Sequence, residues 1–301
     1  MISAILCSDP HLRDTIPDCR KGTYFFEEIK KLAFIQELQK IYDCPVICAG
    51  DVFDYWKTSP FLMVYALRAL PDKFFAIPGQ HDMPNHNYDM LDRSGFGLLK
   101  EAGRLTEIDE EGFGWRKSFR MEGWRYGKEL PPRSRRGFQP MEERPRIAVC
   151  HSLTWESSEP FPGAVGNNAQ AMLSRFPRCN IVLTGDNHKQ FLYKAPSGQI
   201  LVNPGSMMRM KSDQRNHRPA IYLWDAEANN IERMELPCNE DSMLLEIRER
   251  NKEQEAEVFS FVEGLQNSRD ISLNFVDNLK QYVNKNQIGE DLQQKIWEVV
   301  E

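Results

Sequence analysis

Short apolar runs alternate with amphipathic stretches along most of the chain. Ile2–Cys7 (ISAILC), Pro45–Gly50 (PVICAG) and Lys73–Gly79 (KFFAIPG) have the length and composition of buried strands. Between the first two, Phe25, Ile29, Leu32, Phe34, Ile35, Leu38 and Ile41 recur at near-helical intervals, predicting a helix over 24–42. A second helix is expected over 60–70, stopped by Pro71, and short helices over 88–102. Residues 113–146 alternate aromatic and charged positions, which suits hairpins. Arg146–Cys150, Asn180–Thr184, Gln190–Ala195, Gln199–Asn203 and Ala220–Ala226 then read as strands, with a helix near 167–175 and a hairpin turn at 197–199. Early strands alternating with helices and later strands joined by turns describe a mixed α/β fold. From 240 onward the pattern is helical and polar, with weak turns near 267–270 and 286–290.

With 301 residues, 41% of them hydrophobic, the chain is long enough for a full core, as one large domain or one domain with an appendage. No run approaches a membrane span. The first apolar run is too short for a signal segment and has no basic stretch before it, so a cytoplasmic protein is expected. Seven scattered cysteines without a C-x-x-C pair fit reduced thiols better than disulfides or a structural zinc. The net charge of −6 is uneven: residues 239–301 hold 14 acidic against 7 basic side chains, leaving 1–238 near neutral. The expected division is therefore a body over 1–238 and an acidic helical tail over 239–301. Within the body, 113–146 carries ten basic residues against four acidic ones.

The residues with chemistry follow the apolar runs. After the first comes Asp9-Pro10-His11, after the second Gly50-Asp51-Val52-Phe53-Asp54, and after the third Gly79-Gln80-His81-Asp82. Arg146–Cys150 ends at His151, and Asn180–Thr184 leads into Gly185-Asp186-Asn187-His188. Each cluster alone has an ordinary reading as a turn, a helix cap or a core histidine. Five in order, each at a strand end, point to one site, because α/β sheets gather their sites at the carboxyl ends of strands. Oxygen and imidazole donors without thiolate suit Mn²⁺, Mg²⁺, Fe²⁺ or Zn²⁺.

In this order the clusters resemble the calcineurin-like metallophosphoesterases, whose pattern is D-x-H, G-D-x-x-D, G-N-H-D, a single His, and G-H-x-H. The resemblance covers roughly residues 1–210. It implies a four-layer α/β/β/α sandwich of mixed sheets and a pair of divalent metals, Mn²⁺ foremost. Carried over by position, one metal takes Asp9, His11, Asp51 and His188, and the other shares Asp51 and adds Gln80, His151 and Asp186. His81 then faces the phosphate and its leaving group, with Asp82 orienting its ring; Asp54 completes the catalytic set. Two departures fall on the second metal: Gln80 stands where the pattern has Asn, and Asp186 where it has His. The added carboxylate is expected to favour harder ions, Mn²⁺ or Mg²⁺, while loss of the second site is the competing outcome.

Asn203-Pro204-Gly205-Ser206 after the last cluster is similar to the DNA double-strand-break repair nuclease branch, which includes the nuclease subunit of the bacterial SbcCD complex and short phage-type members. That resemblance implies a DNA exo- or endonuclease in a bacterial or phage-infected cell, a homodimer, and an ABC-type ATPase partner docking on the tail. The tail would serve equally to pack on its own body. Arg116, Lys117, Arg120, Arg125, Arg133, Arg135 and Arg136, set among aromatic residues, and Arg209 are the expected DNA contacts. The alternative for this segment is aromatics packed inward and arginines merely solvated. The alternative functions are a small-molecule or nucleotide phosphoesterase and a non-catalytic scaffold.

Overall fold

The structure, a computed structural model, describes residues 1–239 apart from Thr23, Arg136 and 141–143, and beyond them only Leu279, Lys280, Val283, Asn284, Ile288 and Gln293. The chain divides into two units, 1–245 and 246–301. In the second, Leu279, Lys280, Val283, Asn284 and Gln293 are helical. Most of the expected helical tail, and Arg136, lie outside the described residues. No helix among the described residues is long and apolar enough to cross a membrane.

In chain order the first unit runs β1 (Ala4–Cys7), α1 (Tyr24–Tyr42), β2 (Val46–Cys48), α2 (Pro60–Ala69) and β3 (Phe74–Ala76). After two short 3₁₀ turns come α3 (Gly95–Glu101), β4 (Thr106–Glu107), β5 (Phe113–Trp115), β6 (Phe119–Trp124) and β7 (Arg146–His151). Two-residue strands β8 (Thr154–Trp155) and β9 (Asn167–Asn168) precede α4 (Ala169–Leu173) and β10 (Ile181–Gly185). The last strands are β11 (Phe191–Lys194), β12 (Ile200–Asn203), β13 (Ala220–Asp225) and β14 (Asn230–Glu235).

Two six-stranded sheets result, ordered β14-β13-β1-β2-β3-β4 and β11-β12-β10-β7-β6-β5. Period-two alternation builds the layers. Ala4 and Leu6 of β1 point between the sheets, where they meet Ile147 and Val149 of β7, Ile181 and Leu183 of β10, and Trp224 of β13. Ile5 and Cys7 point the other way, onto Leu32, Ile35 and Leu38 of α1 and Leu62 and Ala66 of α2. On the far face of the second sheet, Ala148 and Cys150 pack with Met172 and Leu173 of α4. The layers are thus helix, sheet, sheet and helix, as expected. β1, β2 and β3 run parallel, as do β6, β7, β10 and β12, so the carboxyl ends of each set emerge together.

α1 spans the residues its apolar spacing predicted. Its inner face is not wholly apolar: Glu27, Glu28, Lys31 and Gln39 are buried with it. Arg20 pairs with Glu27 at 2.7 Å, and Lys31 Nζ donates to the carbonyl of Met207 at 2.6 Å. These polar groups tie the helix to the turn at 204–209, which lies behind the candidate centre. Met207 N–H donates to Asp9 O at 3.1 Å, and Ser206 N–H to His188 O at 3.3 Å.

Candidate metal centre

Each expected cluster begins where a strand ends, and the backbone turns sharply there. Asp9 (φ 49°), His11 (φ 47°), Asp51 (φ 49°) and Asp186 (φ 79°) all lie in the left-handed region. A side chain in that region costs on the order of 1–3 kcal/mol, and such strain collects at functional sites. Its effect here is to swing successive side chains off the sheet edges into one space. Gly50 (φ 100°) and Gly79 allow the crowding: a Cβ at Gly50 would strike the His151 ring, and one at Gly79 the Asp51 carboxylate.

Asp9, His11, His81, Asp51, His151 and His188 meet in that space as three overlapping groups: Asp9 with His11 and His188, His11 with Asp51 and His81, and Asp9 with Asp51 and His151. His11 Nε2 lies 3.1 Å from His188 Nε2, 3.8 Å from Asp9 Oδ1 and 3.7 Å from Asp51 Oδ2. On the other side of Asp51, His151 Nε2 stands 3.4 Å from the same Oδ2. Asp51 therefore faces both halves of the cluster. Gln80 and Asp186 join at its edge, with Gln80 Nε2 donating to Asp186 Oδ1 at 2.8 Å.

The imidazoles are oriented from behind. His151 Nδ1 faces the carbonyl of Ala49 at 2.5 Å and His81 Nδ1 that of Asp54 at 2.7 Å. A carbonyl only accepts, so Nδ1 carries a proton and Nε2 is the ring atom turned toward the centre. His11 Nδ1 is held 3.5 Å from the Asp54 carboxylate.

These atoms fit divalent cations. Asp51 Oδ2, Gln80 Oε1 and His151 Nε2 are buried and have no hydrogen-bond partner among the described residues. An unsatisfied buried acceptor costs about 1–3 kcal/mol, so the Asp51 and Gln80 oxygens suit a positively charged occupant. The protonation states say the same. Burial pushes Asp9 up to about 6, against the pull of the neighbouring histidines. Burial also opposes a charge on His151, yet the Asp51 carboxylate raises it to about 10. Burial, reinforced by His11, drives His188 down to about 3. Protons thus gather on one imidazole beside the carboxylates, where metal charge would do the same work.

A family model for calcineurin-like phosphoesterases matches residues 2–190. The chain belongs to that family. No curated protein sequence matches it. Among solved structures it is similar to a Thermus thermophilus protein, at 14% identity over 79% of this chain and 100% of that one, with a TM-score of 0.48. It is also similar to a metallophosphoesterase from Sphaerobacter thermophilus, at 12% identity over 78% and 89%, TM-score 0.34. A dimetal phosphatase from Danio rerio matches at 12% identity over 74% and 92%, TM-score 0.43. By its family the chain is a metallophosphoesterase-type phosphoester hydrolase, and the cluster supplies candidate groups for metal.

Within this phosphoesterase, one expected role falls elsewhere. Asp82 does not orient the His81 ring; the Asp54 carbonyl does. The buried Asp82 carboxylate instead accepts from the N–H groups of Val52 at 3.1 Å, Phe53 at 3.0 Å and Gly79 at 2.9 Å, pinning the Asp51 loop to the His81 loop. Burial, with the charge of Asp51, pushes its carboxyl up to about 7.

The basic segment is also divided. β6 and β7 are parallel with Trp124 beside Cys150 and Arg120 beside Arg146, so the β5–β6 turn lies at the end of the sheet opposite His151. At about 3.4 Å per residue, the length of β6 alone sets Arg116 and Lys117 roughly 17 Å further off. Arg116 pairs with Asp43 at 2.7 Å, and Arg120 contacts Glu122 at 3.6 Å. The aromatics pack inward: Phe113 and Trp115 on Phe75, Phe119 on Trp224, and Trp124 on Phe176. Arg209 is buried and donates to the carbonyls of Arg215 and Asn239. Arg133 donates to Asn167 at 3.4 Å, Arg135 is exposed, and the Arg125 guanidinium lies over Tyr88.

Other cations are closer to the centre in space or in sequence. Arg13 pairs with Asp54 at 2.9 Å, exposed Lys189 follows His188, and the charge of exposed Lys211 reaches His188. Aromatic neighbours are close as well: Tyr126, one of the aromatics of the basic segment, lies 6.3 Å from His151. Two rings that the sequence did not single out are the His86 ring, 5.7 Å from Tyr126, and exposed Tyr55, which follows Asp54. The signal available for His86 was only its place five residues beyond His81.

Proposed function

We propose that this phosphoesterase hydrolyses phosphodiester bonds in DNA, using two divalent cations, Mn²⁺ foremost. Asp9, His11, Asp51 and His188 would hold one, and Asp51, Gln80, His151 and Asp186 the other. The convergence of five strand ends on Asp51, with its buried unpartnered acceptors, carries the reading. The bound ions would supply Lewis-acid charge at the phosphate and lower the pKa of the attacking water. His81 supplies the proton for the leaving oxygen. Its Nδ1–H is committed to the Asp54 carbonyl, so Nε2 is the atom that exchanges protons. Asp51 Oδ1 accepts from the His81 N–H at 2.9 Å, which fixes the acid relative to the shared carboxylate. Asp82 holds the two loops in register behind them.

Arg13, Lys189 and Lys211, with Tyr55, Tyr126 and His86, support a substrate that presents both phosphates and rings. A small phosphoester is the second reading, favoured by the placement of Arg116, Lys117 and Arg120 at the far end of the sheet. An ATPase partner would dock beyond residue 239. The test is Mn²⁺-dependent degradation of end-labelled linear DNA beside bis-p-nitrophenyl phosphate, with His81→Ala as control. Cleavage of both by the wild type alone is expected. Turnover of the small ester but of no DNA, even with an ATPase partner added, would move the assignment to the second reading.

A further inference from the structure

Gln80 and Asp186 are the two positions at which the chain departs from the G-N-H-D and G-H-x-H patterns. They are 106 residues apart, on loops that leave different sheets, and their side chains touch: Gln80 Nε2 donates to Asp186 Oδ1 at 2.8 Å. The amide oxygen of Gln80 is left buried and unpartnered, like Asp51 Oδ2 and His151 Nε2. Asp186 is itself anchored, because its N–H donates to Asp9 Oδ1 at 3.2 Å. An amide has one acceptor end and one donor end. With the donor end taken by Asp186, the acceptor end is the one left for the centre.

We infer that Gln80 and Asp186 act as one unit that sets the metal preference of the second site. The inference rests on the proposed metal-binding role of the centre. The carboxylate fixes which way the amide faces, and the amide N–H offsets part of the charge the carboxylate adds. Neither departure works with the family residue at the other position. Asn at 80 is a methylene too short to keep the 2.8 Å bond and still present its oxygen. A ligating imidazole at 186 has no lone pair left for the Gln80 amide. The two changes therefore compensate each other, and the second site gains an oxygen donor in place of nitrogen. That exchange moves the preference of the site from Zn²⁺ toward Mn²⁺.

The test is calorimetric titration of Mn²⁺, and separately Zn²⁺, into the chelator-stripped full chain, with circular dichroism confirming the fold of each variant. The wild type is expected to take two equivalents of Mn²⁺. Gln80→Asn and Asp186→His should each weaken the second equivalent by about tenfold or more, the scale of a lost orienting partner. The double variant should recover Mn²⁺ binding to within roughly threefold and shift the preference toward Zn²⁺ by about tenfold, through non-additive coupling. Asp186→Asn keeps an oxygen acceptor for the amide, so its loss should be smaller than that of Asp186→His. A double variant that shows the product of the two single losses overturns the pairing. A wild type with one equivalent overturns it while sparing the first site. No binding at all overturns both it and the metal reading.

Discussion

The two ends of the sheets both carry polar groups and use them oppositely. At the carboxyl ends, charged and imidazole side chains are buried, strained in backbone and short of partners. At the amino ends, Arg116 and Lys73 both pair with exposed Asp43, and their charges lie over the Trp115 ring. Ion pairs of that exposed kind contribute little to stability and ask nothing of a ligand. The contrast teaches that charge density along a sequence is a poor locator of a site. Unsatisfied burial is the better one.

The sharpest way to break this contrast is at Asp51. Asp51→Asn removes the charge facing both halves of the cluster and should lower hydrolysis of bis-p-nitrophenyl phosphate by roughly 1,000-fold. Activity within about tenfold of wild type would refute its central place. Asp82→Asn should weaken metal affinity by about 10- to 100-fold, read by calorimetry, because an amide can turn its donor end toward the loop N–H groups it must satisfy. His81 should remain chemically competent in that variant, so saturating metal should restore most of kcat. A smaller effect separates the two sets of cations. Replacing Lys189 and Lys211 by Ala should raise KM for DNA by about tenfold and leave the small ester nearly untouched. Smallest of all, Arg116→Ala with Lys117→Ala should change neither substrate's kinetics by more than about twofold. A large loss on DNA from that last pair would mean that the amino end also takes part.

Much of this was legible in the sequence, because it rests on local pattern. The bounds of α1 follow from apolar spacing, and the ligand candidates announce themselves as polar clusters after apolar runs. What the sequence could not convey is orientation. Aromatic and basic residues alternate through 113–120, and alternation says that the rings go inward, not which end of the sheet the turn occupies. Asp82 looks like a partner for its neighbour His81, yet its carboxylate reaches across to the N–H groups of Val52 and Phe53. Arg209, expected as a DNA contact, is buried because its guanidinium meets backbone carbonyls. β14 escaped notice because only Ile231 of its six residues is buried, the sparse pattern of an edge strand.

The way the centre closes also bears on how the chain reaches its final state. The groups that meet around Asp51 come from positions 9, 11, 51, 81, 151 and 188. Enclosing them closes loops of many lengths, and contacts so distant along the chain form late in folding. Helices and sheet cores can condense while the centre is still open. A nascent chain released before residue 188 would hold much of the architecture and none of the completed cage. Ion uptake would then be the final step of maturation, a report that the last distant segment has come home.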